Sequence, residues 1–259
     1  MQTIDLEITS NIGRITLNAP DKLNALSEAM WGEVPKLVAA AEADERVRVI
    51  VLSGAGNRAF SAGADISEFA EARSGTRAAH YNKLNNEAFE ALQNCRKPTI
   101  SEIRGFCLGG GFLLALSTDL RLAAHGASFS LPPARLGLGF DVRWISPIVK
   151  GAAPHFVKEM LFTGARYSAS EVERFGLLNH VVDEAKLSDK VLELATTIAA
   201  NAPLTLENVK SAIDGLAMND QSIDFKAQDE LTRRCFDSED YREGQAAFAE
   251  KRKPKFSGK

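Results

Sequence analysis

The chain has 259 residues, is 45% hydrophobic and 25% charged, and carries a net charge of −3, so it can bury one full core with an appendage and offers no basic stripe for nucleic acid. Its three cysteines, Cys95, Cys107 and Cys235, form no C-x-x-C pair and leave an odd one over, which fits a reducing compartment rather than a disulfide scaffold. Acids and strict alternation in the first residues argue against a leader peptide, and no apolar run approaches the roughly 18 residues of a membrane span, so the expectation is a soluble, cytoplasmic protein with no membrane or nucleic-acid partner.

Taken in order, Ile4, Leu6 and Ile8 alternate with polar residues, and Ile12, Ile15 and Leu17 follow Asn11 and Gly13, which predicts an opening β-hairpin. A polar loop from Asn18 leads to Ser27, a cap for a helix carrying Met30, Val34, Leu37, Val38 and Ala41 on one face, with Pro35 inside it. Val47 to Leu52 is a β-branched run suited to a strand covered on both faces. From Ser53 to Ile66, small residues and glycines interrupt every period, which predicts irregular chain. A helix is expected from Thr76 to Cys95, with Leu84, Ala88, Ala91 and Leu92 inward.

The stretch from Pro98 to Asp119 stands out. A short strand, Thr99 to Ile103, is followed by Gly109, Gly110 and Gly111 and then directly by an apolar helix to Leu116. Three glycines at such a junction cost backbone entropy and bury no side chain, so they need a geometric reason. One reason is a ligand oxygen approaching the unpaired N–H groups of the first turn; the other is tight packing of the helix against a strand. A strand at Asp119 to Ala123, an extended piece at Phe129, a loop from Leu131 to Asp141, helices at Ala153 to Leu161 and Ser170 to Phe175, and a strand from Leu177 to Val182 complete stacked β-β-α turns of an α/β protein. Beyond Leu187 only helical patterns occur, broken by Pro203, Gly215 and Asn219-Asp220, and Tyr241 to Lys253 ends in cations suited to a helix carboxyl end.

Three separated motifs, Lys22-Leu-Asn-Ala-Leu-Ser, Phe60-Ser-Ala-Gly-Ala-Asp-Ile and Gly105-Phe-Cys-Leu-Gly-Gly-Gly-Phe-Leu-Leu-Ala-Leu-Ser-Thr-Asp, resemble in this order the crotonase superfamily, the enoyl-CoA hydratase/isomerase family. Leu161-Phe-Thr-Gly, Gly176-Leu-Leu-Asn-His-Val-Val and Ala247-Phe-Ala-Glu-Lys-Arg-Lys-Pro extend the likeness over nearly the whole chain, and Phe236-Asp-Ser-Glu-Asp-Tyr-Arg-Glu-Gly looks most like the methylmalonyl-CoA decarboxylase branch. The resemblance implies a spiral of β-β-α turns over residues 1–190 and a helical oligomerisation region over 191–259, assembled as a homotrimer or a dimer of trimers. It implies an acyl-CoA substrate, coenzyme A entering only as part of the thioester, with no separate cofactor and no metal.

By the same resemblance, the N–H groups of Ala64 and Gly110 would form an oxyanion hole for a thioester enolate. Lys22, Ala25 and Leu26 would lie against the adenine end of CoA, Ala62, Asp65 and Ile66 along the nucleotide and pantetheine path, and Phe248 and Lys251 would contact CoA from the tail, sometimes of a neighbouring subunit. The two glutamates a hydratase of this family uses are replaced, the first by Leu113 and the second by Pro133, so the usual hydration mechanism is not expected. Asp141 falls where dienoyl-CoA isomerase and chlorobenzoyl-CoA dehalogenase branches place a catalytic aspartate; it is a candidate base or nucleophile, or else a cap of the next helix. The decarboxylase branch would have histidine at Ala64 and tyrosine at Phe140, so its mechanism does not carry over unchanged.

Glu68, Glu71 and Arg73 are candidates for reaching the acyl end, or for a solvated helix face. His80, His125, His155 and His180 lack metal-ligand spacing. The expected activity is therefore that of an enoyl-CoA hydratase/isomerase-like enzyme. A decarboxylase, isomerase or hydrolase of an unusual acyl-CoA, and a non-catalytic acyl-CoA-binding protein, remain open as alternatives.

Overall fold

The computed structural model describes residues 3–65, 67–68, 77–217 and 224–259. The opening hairpin forms as expected from β1 (Thr3–Thr9) and β2 (Ile12–Asn18), with Ser10 and Asn11 both at positive φ in a two-residue turn that matches strand twist. Ser27 caps α1 (Glu28–Ala43) by accepting from the Met30 amide, and Met30, Trp31, Val34, Val38 and Ala41 are buried at helical spacing.

Each subsequent turn of chain sends its first strand to one sheet and its second to another. The first strands are β3 (Val49–Gly54), β5 (Thr99–Ile103) and β7 (Leu120–Ala124); the second are β4 (Ala59–Ser61), β6 (Phe106–Leu108) and β8 (Ser128–Ser130). The six-stranded sheet runs β1-β2-β3-β5-β7-β10 and is parallel from β2 onwards; the four-stranded sheet runs β4-β6-β8-β9, with only β9 antiparallel. Here β9 is Tyr167–Ser168 and β10 is His180–Val182. The chain is an α/β spiral of β-β-α turns.

Helices close the turns: α2 (Arg77–Gln93), α3 (Gly110–Leu116), α4 (Val142–Gly151), α5 (Pro154–Thr163) and α6 (Ala169–Arg174). Strand β3 shows why its apolar run is continuous. Ile50 and Leu52 enter the interior core with Trp31, Phe60, Phe112 and Phe129, while Val49 and Val51 face the opposite way, under Leu187, Val191 and Ala195 of α7 (Leu187–Ala199). The expected 190/191 division thus falls within a helix that packs on the sheet. Beyond it come α8 (Pro203–Ala217), α9 (Phe225–Asp237) and α10 (Glu239–Ala249).

Three local expectations need correction. Strand β4 forms inside the glycine-rich stretch, because its three fully buried residues pair with β6 rather than following any local period. Helix α4 follows the Leu131–Asp141 loop, where the sequence offered a helix only as the one Asp141 could cap and gave it no bounds. Gly215 does not interrupt α8, whereas Asn219-Asp220 lies outside the described residues.

On the sheet face toward α7, Glu102 is buried and accepts hydrogen bonds from Arg14 at 2.7 Å, from Ser188 at 2.7 Å and from Arg104. Burial by itself raises its pKa, but the bonds from Arg104, Arg14 and Ser188 outweigh it and the net displacement is downward. A carboxylate with a depressed folded pKa adds stability that is present above its unfolded value and lost as pH falls through the folded one. Urea midpoints at pH 7 and at acid pH are therefore expected to drop more in the parent protein than in Glu102→Gln; equal drops would show that this carboxylate does not contribute to the acid limb.

Candidate active site

Strands β4 and β6 are parallel neighbours, so the turns that leave their carboxyl ends are delivered side by side. The first turn is Ala62 to Asp65; the second is Gly109 leading into α3. Each glycine of the second turn has its own reason. Gly109 has φ of 50°. A Cβ on Gly110 would lie 2.9 Å from the ring of Trp31, and one on Gly111 would lie 2.5 Å from Ser61 Cβ. Close packing, one of the two readings of the glycines, holds at Gly110 and Gly111, whereas a Cβ on Gly109 would meet nothing within 4 Å.

The same close approach brings two amides together. A Cβ built on Gly110 would lie 3.9 Å from Ala64 N, and one on Gly63 would lie 3.3 Å from Gly110 N. Among the described residues, neither the Ala64 N–H nor the Gly110 N–H donates to a protein acceptor. The neighbouring amides are committed: Leu26 N–H donates to Gly63 O at 2.7 Å and Asp65 N–H to Leu26 O at 2.9 Å, which pins the first turn to the Lys22–Ser27 loop.

That loop is anchored by Asn24, which is fully buried at positive φ, donates to Ala55 O and Ala59 O, and accepts from the Ala19 amide. Ser61 Oγ donates to Asn24 O and accepts from Gly63 N–H. Sequence reasoning assigned no role to Asn24, Ser61 or Trp31. The first two lie inside quoted motifs, while nothing local marks Trp31.

Both turns open on a cavity of about 410 Å³. Ala62, Gly63, Ala64, Leu108, Gly109 and Gly110 form one side, and Pro132, Pro133, Leu136, Leu138 and Phe140 face it, with Arg135 and Arg166 as its charged members. Among the described residues, no carboxylate or imidazole lines it. The volume lies within the range of small-molecule sites.

The other sequence candidates are placed as follows. Leu113 is buried in the core and does not line the cavity, whereas Pro133 does. Ala25 and Leu26 are buried behind the first turn. Lys22 Nζ pairs with Asp65 at 2.7 Å, and Asp65 also accepts from Ser67 N–H. Phe248 is 88% exposed and Lys251 is exposed at positive φ, neither on the cavity of the same chain. Glu68 accepts from the Glu28 amide at 2.8 Å, at the start of α1. Ile66, Glu71 and Arg73 lie outside the described residues.

Asp141 takes the capping role of the two open to it. It precedes α4, accepts from the Arg143 amide at 2.9 Å, and is gripped by the Arg143 guanidinium at 2.6 Å and 3.0 Å. These bonds from the Arg143 side chain, then its amide, hold the carboxyl down at about 2. Asp141 does not line the cavity, although its neighbour Phe140 does, with its ring 5.5 Å from that of Trp144. A carboxylate this acidic is a weak proton acceptor at neutral pH.

This arrangement of turns and cavity defines a class. The enoyl-CoA hydratase/isomerase family model matches residues 7–259, and the chain belongs to that family, the crotonase superfamily. It is 32% identical to a short-chain-enoyl-CoA hydratase of Clostridium acetobutylicum, over 98% of this chain and 97% of that protein. It is 33% identical to a methylmalonyl-CoA decarboxylase of Escherichia coli, over 99% and 98%. A solved enoyl-CoA hydratase/carnithine racemase from Magnetospirillum magneticum superposes with a TM-score of 0.95 at 34% identity, covering 100% of this chain and 97% of that one. The protein is an enoyl-CoA hydratase/isomerase-like enzyme. No described helix is long and apolar enough to cross a membrane.

Because Asn and Asp cap helices about equally well, Asp141→Asn is expected to melt close to the parent and to keep acyl-CoA turnover within about twofold. A loss approaching the 10²-fold or more typical of a removed acid or base would return Asp141 to proton transfer.

Proposed function

We propose that the enzyme stabilises the enolate of an acyl-CoA thioester between the N–H groups of Ala64 and Gly110. One observation carries this: two neighbouring main-chain amides without protein acceptors among the described residues line the same cavity. As a carbon–hydrogen or carbon–carbon bond next to the thioester breaks, negative charge moves onto the carbonyl oxygen. Fixed donors then bind the oxygen more strongly than in the ground state, each worth about 3 kcal/mol. Backbone donors do not titrate, so this assistance is independent of pH.

Pro133 on the cavity wall and Leu113 behind it transfer no proton, so hydration assisted by glutamates at these positions is not the proposed route. The acid-free wall favours a second reading, decarboxylation. There the bond to a carboxylate next to the thioester breaks, carbon dioxide leaves, the electron pair becomes the enolate, and water supplies the final proton. No protein base is required to form that enolate.

Along the rest of the substrate, Lys22, Ala25 and Leu26 support the adenine end and Ala62, Asp65 and Ile66 the path inward, with coenzyme A bound only as part of the thioester and no separate cofactor. Phe248 and Lys251 do not line the cavity of their own chain, so their role is toward a neighbouring subunit's CoA. Val209, Ile213 and Leu216 form an apolar stripe on α8, 47%, 60% and 68% exposed, that supports burial in a homotrimer or dimer of trimers. We place this assembly in the cytoplasm.

Ala64→Pro deletes one donor without touching a protein hydrogen bond. In a variant whose circular dichroism melt matches the parent, exchange or turnover at the carbon next to the thioester, measured by NMR over a panel of acyl-CoAs, is expected to slow by about 10²–10³ with CoA affinity retained. Parent-like rates in the folded variant, or a parent that binds acyl-CoA and never exchanges or turns it over, would defeat the reading. Sedimentation equilibrium is expected to give a trimer or hexamer that Ile213→Asp dissociates; a monomeric parent at micromolar concentration would remove the assembly proposal.

A further inference from the structure

The cavity wall has two charges and both are positive. Arg135 sits in the single helical turn Ala134–Leu136, and its Nε donates to Thr163 O at 2.9 Å, while its two terminal nitrogens have no protein acceptor among the described residues. Arg166 lies with its guanidinium carbon 5.0 Å from the centroid of the Phe106 ring, an attraction that orients the group, and no hydrogen bond takes its N–H donors among the described residues. Neither has a carboxylate partner among the described residues, whereas Arg14, Arg46, Arg96, Arg104, Arg143, Arg233 and Arg252 each pair with one. The two approach the cavity beside Gly164: the Arg135 Cδ lies 3.2 Å from where a Cβ on Gly164 would sit, and Arg166 follows two residues later.

Arg135 and Arg166 are both exposed, so water solvates them when no ligand is bound, and the planar fork of N–H donors on each matches a carboxylate. Among the described residues the wall supplies no competing acid, and its one other polar side chain, Ser130, donates to Gly164 O at 3.2 Å. An acyl-CoA offers two anionic sources here, the diphosphate of CoA and a carboxylate on the acyl group. The diphosphate lies beyond the whole pantetheine arm from the thioester. Yet both arginines line the same cavity of about 410 Å³ as Ala64 and Gly110.

We propose that Arg135 and Arg166 bind a carboxylate carried by the acyl group, so that the substrate is the CoA monothioester of a dicarboxylic acid. This rests on the thioester reading above. Held by two cations, the carboxylate stays anionic and serves as a recognition handle. Such a substrate has no second free carboxylate, so the decarboxylating reading would need an acyl group with a further carboxylate next to the thioester.

Succinyl-CoA and butyryl-CoA share a chain length and differ by a terminal carboxylate, so calorimetric titration with both, and with CoA, isolates the handle. In the parent, succinyl-CoA is expected to bind about tenfold tighter than butyryl-CoA, equivalent to about 1.4 kcal/mol. Arg135→Met with Arg166→Met is expected to erase that preference while CoA and butyryl-CoA bind as before, and a melt confirms folding. Arg135→Lys with Arg166→Lys, which keeps the charge and loses the fork, is expected to retain part of the preference. Equal affinity of the parent for the two thioesters overturns the proposal, as does a loss in the Met variant that is the same for all three ligands, since the guanidinium groups would then serve the diphosphate. A parent that binds CoA and neither thioester any better would remove the thioester reading itself, and this proposal with it.

Discussion

The structure depends on one steric constraint: two chain turns must approach until their main-chain amides are a few ångströms apart, with no side chain between them. Parallel pairing of β4 with β6 brings the turns side by side, and Gly110 and Gly111 let α3 start against Trp31 and Ser61. Ser61 then ties the first turn to the Lys22–Ser27 loop by buried hydrogen bonds to Asn24 O and from Gly63 N–H, and Asn24 ties that loop to Ala59 O. Preorganisation of this kind places the cost of ordering the donors in folding rather than in catalysis.

The charges around the cavity divide by sign. The carboxylates near it are already occupied, Asp65 by Lys22 and Ser67, Glu68 by the Glu28 amide and Asp141 by Arg143, while Arg135 and Arg166 present donors without protein acceptors. A site so arranged disfavours positive ligands and favours an oxygen that carries or develops negative charge. The chemistry left to the protein is electrostatic, which suits a reaction whose difficult species is an enolate.

Much of this was legible from local patterns. Alternation in the hairpin, the β-branched run of β3, the Ser27 cap and the triple glycine each signal their structure within a few residues, and the three motifs identify the family. Strand β4 was not legible, because its strand character comes from pairing with β6. Nor was the role of Trp31, whose ring meets Gly110 across 79 positions of sequence. Asp141 shows the opposite failure: a residue type at a suggestive position, whose neighbour two residues on takes its charge.

The sequence by itself determined the α/β class and, through three separated motifs, the family, since these follow from residue identity and short-range pattern. Only the tertiary structure decided which amides remain without acceptors, that Asp141 is a cap, and that Arg135 and Arg166 share a wall with Ala64 and Gly110. Those facts depend on distances between segments far apart in the chain, and such distances are set by strand pairing and close packing rather than by any local preference.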